Sequence, residues 1–193
     1  GLRDCVWYAA DIHSQDTEET ILHKLHQCEE LVLKKPSGDS ALHSLEDLPN
    51  LPNLKSLSLD FDAWNDSSVA DFTPIAGLPR LERLSIQNHA KEETDLSFLA
   101  EMPHVTELYL PNCQLKDITF LQEMTQLERL SLYETEVQDL AVLENLQSLV
   151  ELALSGNSHA RNLETVGKLT RLQDLGLQNC GIRDIGFLSG LTQ

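Results

Sequence analysis

Basic residues are scarce in this sequence. Lysine and arginine total 14 against 31 aspartates and glutamates, which gives a formal net charge of −17. A chain with that charge repels phosphate backbones and anionic lipid headgroups, so nucleic acid and membrane partners are disfavoured. A protein or peptide of basic character is the partner that the charge favours. Long apolar stretches are also missing, since no run approaches the ~18 residues that a membrane span requires.

Sequence signatures of catalysis are absent as well. The chain has no G-x-S-x-G, no H-E-x-x-H, no glycine-rich phosphate loop and no C-x-x-C pair. His23 and His26 lie three residues apart with Cys28 nearby, a spacing that could hold a metal but that is common by chance. We therefore expect no enzyme activity, no cofactor and no metal site within these residues.

A seven-residue phrase, in contrast, recurs along the chain. "LERLSIQ" at residue 81 returns as "LERLSLY" at 127, and related phrases are "LKSLSLD" at 54, "VTELYLP" at 105, "LVELALS" at 149 and "LQDLGLQ" at 172. Seven units of 22 to 27 residues can be counted from Leu25, and an eighth begins at Leu191. Self-similarity at this period is typical of a solenoid.

Each unit follows the pattern L-x-x-L-x-x-L-x-L, and the alternation at Leu108 and Leu110 predicts a short strand with one buried face. A return path of only about 16 residues makes successive strands parallel. Three residues after the last strand leucine comes a column that we expect to point inward and to satisfy backbone donors of the next coil. It contains Pro36, Asp62, His89, Cys113, Thr135, Asn157 and Cys180.

A further column holds a short polar residue just before an apolar pair. Side chains of this kind cap a short helical turn, which we place on the outer side of each coil. The column contains Ser44, Asp71, Asp95, Asp117, Asp139, Asn162 and Asp184.

With these columns, the chain resembles leucine-rich repeat proteins over residues 25–190. Its 22-residue unit, closed by D-h-x-x-L, is similar to the class found in bacterial internalins and in a regulatory subunit of a eukaryotic protein phosphatase. The resemblance implies an α/β fold, namely a curved solenoid with a parallel β-sheet on the concave face and 3₁₀ or irregular segments on the convex face. It also implies protein binding, without indicating which protein is bound.

Two regions are predicted. Residues 1–24 match no repeat and form an N-terminal cap, in which "DTEETILHKLHQC" reads as a helix that shields the first coil. Asp16 and Glu19 are spaced as a capping box, and Ile21, Leu22 and Leu25 share one face. Residues 25–193 hold the repeats, and the short eighth unit leaves room for a cap or a further domain beyond Gln193.

The repeat register also separates the cysteines. Cys113 and Cys180 stand three coils apart, roughly 14 Å at the usual strand spacing, which is too far for a disulfide. Cys28 occupies a leucine position and is predicted to be a buried thiol, while its pairing with Cys5 stays open. This usage weakly favours an intracellular location, with a secreted or surface location as the alternative.

The residues between the core leucines define the predicted concave face. The column before the second strand leucine reads Glu30, Ser56, Arg83, Glu107, Arg129, Glu151 and Asp174. Opposite charges alternate from Arg83 to Glu151. Neighbouring charges in the column could neutralise one another, contributing about 0.2–1 kcal/mol per pair, or a binding partner could form ion pairs with the two arginines instead.

The next column contains one large aromatic residue among small ones. It reads Val32, Ser58, Ser85, Tyr109, Ser131, Ala153 and Gly176, so we expect Tyr109 to project with a shallow recess on each side. Tyr133 lies one strand over and two residues along. Exposed tyrosines concentrate binding energy at interfaces, although Tyr109 could instead pack over Tyr133 and serve the fold.

The first three units have longer loops after the strand, "KKPSGDSALH", "DFDAWNDSSVAD" and "NHAKEETD". All three leave from the same edge, and insertions on one side of a solenoid often mark its binding side. Phe61 and Trp64 are the aromatic candidates there. Alternatively, Trp64 folds back over the core of its lengthened coil.

These patterns together predict a monomeric interaction module that binds a protein or peptide on its concave face and N-terminal loop edge. Tyr109, Tyr133, Phe61 and Trp64 are the predicted anchors; Arg83, Arg129, Glu107 and Glu151 set the register, with Asn88 and Glu134 beside them. One alternative is the targeting region of a larger enzyme or secreted effector whose catalytic domain lies outside this chain. Another is a structural spacer, for which an aromatic-free, evenly polar concave face is expected.

Overall fold

Among the described residues, seven short parallel strands form one sheet in which sequence order is also spatial order. The computed structural model describes residues 15–33, 44–61, 69–89, 94–115 and 117–191. Each coil contributes one strand, as the repeat predicted, and the leucine-rich repeat solenoid is confirmed. The strands are β1 (Glu30–Leu33), β2 (Ser56–Asp60), β3 (Arg83–Gln87), β4 (Glu107–Tyr109), β5 (Arg129–Ser131), β6 (Glu151–Ala153) and β7 (Asp174–Gly176).

The strand leucines stack in register to form the core. Leu108 pairs with Leu84 on one side and with Leu130 on the other, and all three side chains are buried. The core continues through the leucines that open each unit, such as Leu78 and Leu146. At the last coil Leu175 and Leu177 are only partly buried, because no further coil covers them among the described residues.

The return path of each coil contains a 3₁₀ segment, which the acidic column caps. Each aspartate of this column accepts a hydrogen bond from the backbone N–H two residues further on, at 2.8–2.9 Å. The predicted capping is confirmed at these five aspartates, each of which bonds the first N–H of its 3₁₀ segment. It is wrong at two positions. Ser44 accepts from the Glu46 N–H at 3.1 Å but lies four residues before Leu48, where the first segment begins, and Asn162 has a left-handed backbone and donates its amide to Asp139. The segments are Leu48–Asn50, Thr73–Gly77, Ser97–Glu101, Thr119–Glu123, Ala141–Asn145, Leu163–Lys168 and Gly186–Gly190.

These capping bonds also act on the carboxylates. Hydrogen bonds from Thr73 lower the pKa of Asp71, and the backbone N–H of Ala141 does the same for Asp139. A lowered pKa means that the charged form is the one that the folded backbone holds.

The inward column is buried as predicted, but its partners differ from the expected ones. Asn157 donates to the carbonyls of Leu132 and Leu154 at 2.6 and 2.7 Å, and the Cys113 thiol donates to the Ile86 carbonyl at 3.2 Å. The backbone partners are therefore carbonyl acceptors on the same and the preceding coil, not N–H donors of the next one, and Thr135 also donates to the Asn157 side chain of the next coil at 3.3 Å. Amide, hydroxyl and thiol groups serve here because all of them carry a hydrogen. Pro36 and Asp62 lie outside the described residues.

In the described part of the N-terminal region lies the helix α1 (Glu18–Gln27), which packs Ile21 and Leu25 against the first coil. The predicted capping box was wrong by one residue. Thr17 is the N-cap and accepts from the Thr20 N–H at 3.3 Å, because the Asp16 carboxylate is instead bonded to Lys24 at 2.7 Å. None of the helices in the described parts of the chain is long and apolar enough to cross a bilayer.

A column of left-handed residues terminates the strands of the later coils. Asn88, Asn112, Glu134, Gly156 and Asn179 have φ between 51° and 90° and lie five residues after their strands begin. Asparagine and glycine tolerate this conformation, whereas a glutamate has no such preference. Glu134 is therefore the strained member of the column, at a cost of about 1 kcal/mol.

Replacing Asn157 by alanine should destabilise the fold by about 2 kcal/mol, since buried carbonyls lose a donor. A urea titration followed by circular dichroism measures the change. Asn145→Ala is the matched control, because this exposed amide makes a local bond to Val142 and its removal should cost less than about 0.5 kcal/mol. Equal losses in both variants would contradict a structural role for the inward column.

Replacing Glu134 by asparagine should stabilise the protein by about 0.5–1 kcal/mol, because asparagine accepts a left-handed backbone more readily. Thermal unfolding should show a higher midpoint than in the unmodified chain. Glu128→Asn removes an exposed glutamate whose φ is not positive, and this control should not gain stability. A lower midpoint for Glu134→Asn would show that the glutamate side chain offsets its own strain.

Candidate protein-binding surface

The outward-facing residues of the sheet form the columns that the repeat register predicted. Glu107 pairs with Arg83 on β3 and with Arg129 on β5, and Tyr109 pairs with Ser85 and Ser131. The pairing continues in both directions from Val32 on β1 to Gly176 on β7.

The charged column is a continuous network centred on Glu107. Arg83 donates through Nε at 2.6 Å and through Nη2 at 3.2 Å to the two carboxylate oxygens of Glu107. Arg129 donates through Nη1 to Glu107 at 3.0 Å, and its Nε lies 3.3 Å from Glu151. This geometry is that of the self-neutralising ladder.

The network shifts the ionisation of its members. The hydrogen bond from Arg83 lowers the pKa of Glu107, against the opposing effect of burial. The same bond raises the pKa of Arg83. Because only 15% of the Glu107 side chain is exposed while half of Arg83 is, the carboxylate is the shielded centre and the arginines form its rim.

Tyr109 is tied to the same carboxylate. Its hydroxyl donates to Glu107 at 3.1 Å, and its ring is half-buried. Burial and then the charge of Glu107 raise the pKa of Tyr109 to about 12. Tyr109 is therefore a neutral hydrogen-bond donor with a fixed ring position at ordinary pH.

Tyr133 is more open to solvent, with 40% of its surface exposed. A hydrogen bond to the adjacent Glu134 carboxylate raises the pKa of this tyrosine. Each tyrosine is thus bonded to its own acid. Ring contacts in the described parts of the chain involve Phe61, Phe72 and His89 rather than these two tyrosines.

A recess of about 650 Å³ lies on the β1 side of Tyr109. Its floor includes the small side chains of Ser58 and Ser85, with Val32 at the far side. Ser85 is buried and accepts a hydrogen bond from Gln87 at 2.8 Å. The recess follows from the sequence of the column, because two serines stand between two larger residues.

Phe61 does not belong to this surface. Its ring is 6% exposed and makes edge contacts with Phe72 and His89, at centroid distances of 5.9 and 5.0 Å. A ring in that position cannot anchor a partner, so Phe61 is a core residue of the lengthened coil. Trp64 lies outside the described residues, as does most of the predicted loop edge.

Asn88 and Glu134 both lie in the left-handed column at the rim of the sheet. The Asn88 amide donates to Asp60 at 3.0 Å and accepts from Asn112 at 2.9 Å, which forms a short ladder across three coils. Sequence reasoning missed this ladder. The signal was available, since asparagine recurs at the equivalent position as Asn112 and Asn179.

The cysteines in the described parts of the chain are all buried. Cys113 and Cys180 are buried free thiols, Cys28 is buried as well, and burial raises the pKa of Cys113 to about 11. No group of three or more histidine, cysteine or acidic residues among the described residues is arranged to hold a metal. Cys5 lies outside them.

Comparisons with known proteins agree with this architecture. An internalin (InlF) of Listeria monocytogenes shares 28% identity at a TM-score of 0.72, over 92% of this chain and 49% of that one. Internalin C2 of the same organism shares 19% identity at a TM-score of 0.71, over 99% of this chain and 88% of that one. A plant peptide hormone receptor, RGFR1 in complex with RGF2, shares 20% identity at a TM-score of 0.55, over 79% of this chain and 24% of that one.

The sequence itself gives no comparable match. No protein-family profile and no curated protein matches it. The chain spans about half the length of the InlF internalin. With seven parallel strands among the described residues, a 3₁₀ turn in each of their return paths and these structural neighbours, the chain has the leucine-rich repeat fold that is also found in the internalins.

Proposed function

We propose that this chain is an interaction module that binds a protein or peptide on its concave face. The observation that carries the proposal is a pair of tyrosines on neighbouring coils: Tyr109 is half-buried and lines a recess, and Tyr133, two residues beyond its strand partner Ser131, is exposed. Tyrosine is enriched among the residues that dominate binding energy at interfaces. A large exposed aromatic side chain on a polar sheet face contributes little to the fold.

The fixed geometry of the face supports the same function. Glu107 holds Arg83, Arg129 and the Tyr109 hydroxyl in place before any partner arrives. A partner that docks on ordered side chains loses less conformational entropy than one that must order them. The ladder therefore stabilises the sheet and also fixes the side chains that a partner would contact.

A relative with a bound ligand supports the class of partner. The receptor RGFR1, whose fold resembles this one, is a peptide hormone receptor seen in complex with RGF2. The likeness is one of fold, so it supports a peptide or protein as partner without indicating its identity.

A second candidate is the targeting region of a larger enzyme or secreted effector. The observation that favours it is the share of the InlF internalin, about half, that this chain spans. The full open reading frame separates the two candidates, because the second requires a catalytic domain elsewhere in the protein.

Replacing Tyr109 and Tyr133 together by alanine should weaken partner binding at least tenfold, about 1.4 kcal/mol, because both anchoring rings are lost. The partner is first isolated by affinity capture from the native lysate and identified by mass spectrometry. Its dissociation constant is then measured by calorimetry for each variant, and circular dichroism confirms that the fold is intact.

Two controls accompany this measurement. Tyr109→Phe with Tyr133→Phe keeps both rings and should retain most of the affinity. Gln122→Ala with Glu123→Ala alters exposed residues of a 3₁₀ segment on the opposite side and should have no effect. Unchanged affinity in the double alanine variant would reject the concave face around the tyrosines as the binding centre.

A further inference from the structure

The recess between Val32 and Tyr109 has the dimensions of a site for one extended chain. Val32 and Tyr109 occupy the same column three strands apart, roughly 14 Å at about 4.8 Å per strand. Ser58 and Ser85 lie between them and leave the floor low. Stacked sheets pack only about 10 Å apart, so the gap is wide enough for a single peptide segment between the two larger side chains.

The charged residues that line the recess differ in whether they have an ion-pair partner. Arg83 is the positive charge in the lining, and both of its bonds to Glu107 direct it towards β4. Glu30 lies at the opposite side on β1, with Ser56 between it and Arg83 in the column. Glu30 is exposed, and among the described residues no basic group lies within ion-pair distance of its carboxylate.

A neighbouring lysine among the described residues is engaged elsewhere. Lys55, on the adjacent coil, pairs with Glu29 at 3.0 Å. The carboxylate of Asp60 also lines the recess and accepts a hydrogen bond from Asn88. The lining therefore carries two acids, Glu30 and Asp60, and one arginine that Glu107 already neutralises.

From this arrangement, and on the basis of the function proposed above, we propose that the recess binds an extended segment of the partner that carries a lysine or arginine. The aliphatic part of that side chain packs against Val32 and the ring of Tyr109, and its charged end pairs with Glu30. Long basic side chains combine an apolar stem with a charged end, which matches one apolar wall and one acidic rim.

The contribution of the ion pair is mainly to specificity. Exposed pairs change affinity only modestly, whereas like charges brought together are strongly disfavoured. Glu30 should therefore decide which segments are accepted, while Tyr109 and Tyr133 supply most of the affinity. A reversal of the charge at residue 30 is a sharper test than its removal.

The test is selection from a phage-displayed library of random peptides against the full chain and against Glu30→Lys. The unmodified chain should enrich peptides with lysine or arginine at a recurring position. Glu30→Lys should enrich peptides with aspartate or glutamate there instead. It should also bind the peptides selected on the unmodified chain at least about tenfold more weakly.

Glu128→Lys is the matched control, because it makes the same charge change at an exposed glutamate on the coil of β5, away from the recess lining. It should still select basic peptides and bind them within about twofold of the unmodified chain. Ser58→Trp, which fills the floor, should abolish their binding while the circular dichroism spectrum stays unchanged.

The outcomes separate this inference from the function on which it rests. Selected peptides that lose binding in the double tyrosine-to-alanine variant, but that have the same composition with Glu30→Lys, would overturn the basic-segment proposal and keep the concave face as a binding site. Equal losses in Glu30→Lys and Glu128→Lys would also overturn it, since the attraction would then be diffuse. Failure to select any peptide would count against both.

Discussion

The stacking of successive coils in register is the constraint on which this molecule depends. A single coil has one short strand and a few leucines, so it cannot bury its own apolar face. Neighbouring coils complete it through strand hydrogen bonds, such as Leu110 N–H to the Ser131 carbonyl at 2.9 Å and Leu132 N–H to the Ala153 carbonyl at 2.8 Å. The register that stacks the core leucines also fixes which outward side chains are neighbours. The stability of the fold and the arrangement of its surface residues therefore depend on the same strand pairing.

Polar side chains complete the backbone bonding where the strands end. The inward column supplies donors to carbonyls of the same and the preceding coil, and the acidic column supplies acceptors to the 3₁₀ segments. Glu134 stands out because it adopts a left-handed conformation that asparagine or glycine provides elsewhere in its column. Strain of this kind persists only where surrounding structure enforces it, and here it lies directly beside the exposed Tyr133.

On the concave face, a cluster of bonded side chains around Glu107 is flanked by residues that are more exposed. Glu107 engages Arg83, Arg129 and Tyr109 across three adjacent strands, which leaves little unbalanced charge at the centre. Tyr133 and Glu30 lie outside this cluster and remain exposed. A partner would therefore meet a rigid, nearly neutral platform with an aromatic group on one side and an acid on the other. Such an arrangement favours a partner whose apolar and basic groups are placed to meet these two residues, rather than any partner of positive overall charge, even on a chain with a net charge of −17.

The sequence by itself determined the repeat, the parallel sheet and the two outward columns, because a fixed period turns linear spacing into neighbouring positions once the coils stack. It also indicated the capping aspartates and the buried column, since each position recurs with the same chemistry. Tertiary structure alone decided the exceptions, which occur where the repeat is broken. Phe61 became a core residue because Phe72 and His89, distant in sequence, surround it, and Thr17 replaced Asp16 as the helix cap because Lys24 bonds that carboxylate. In both cases the outcome depends on a contact between residues that no periodic pattern brings together.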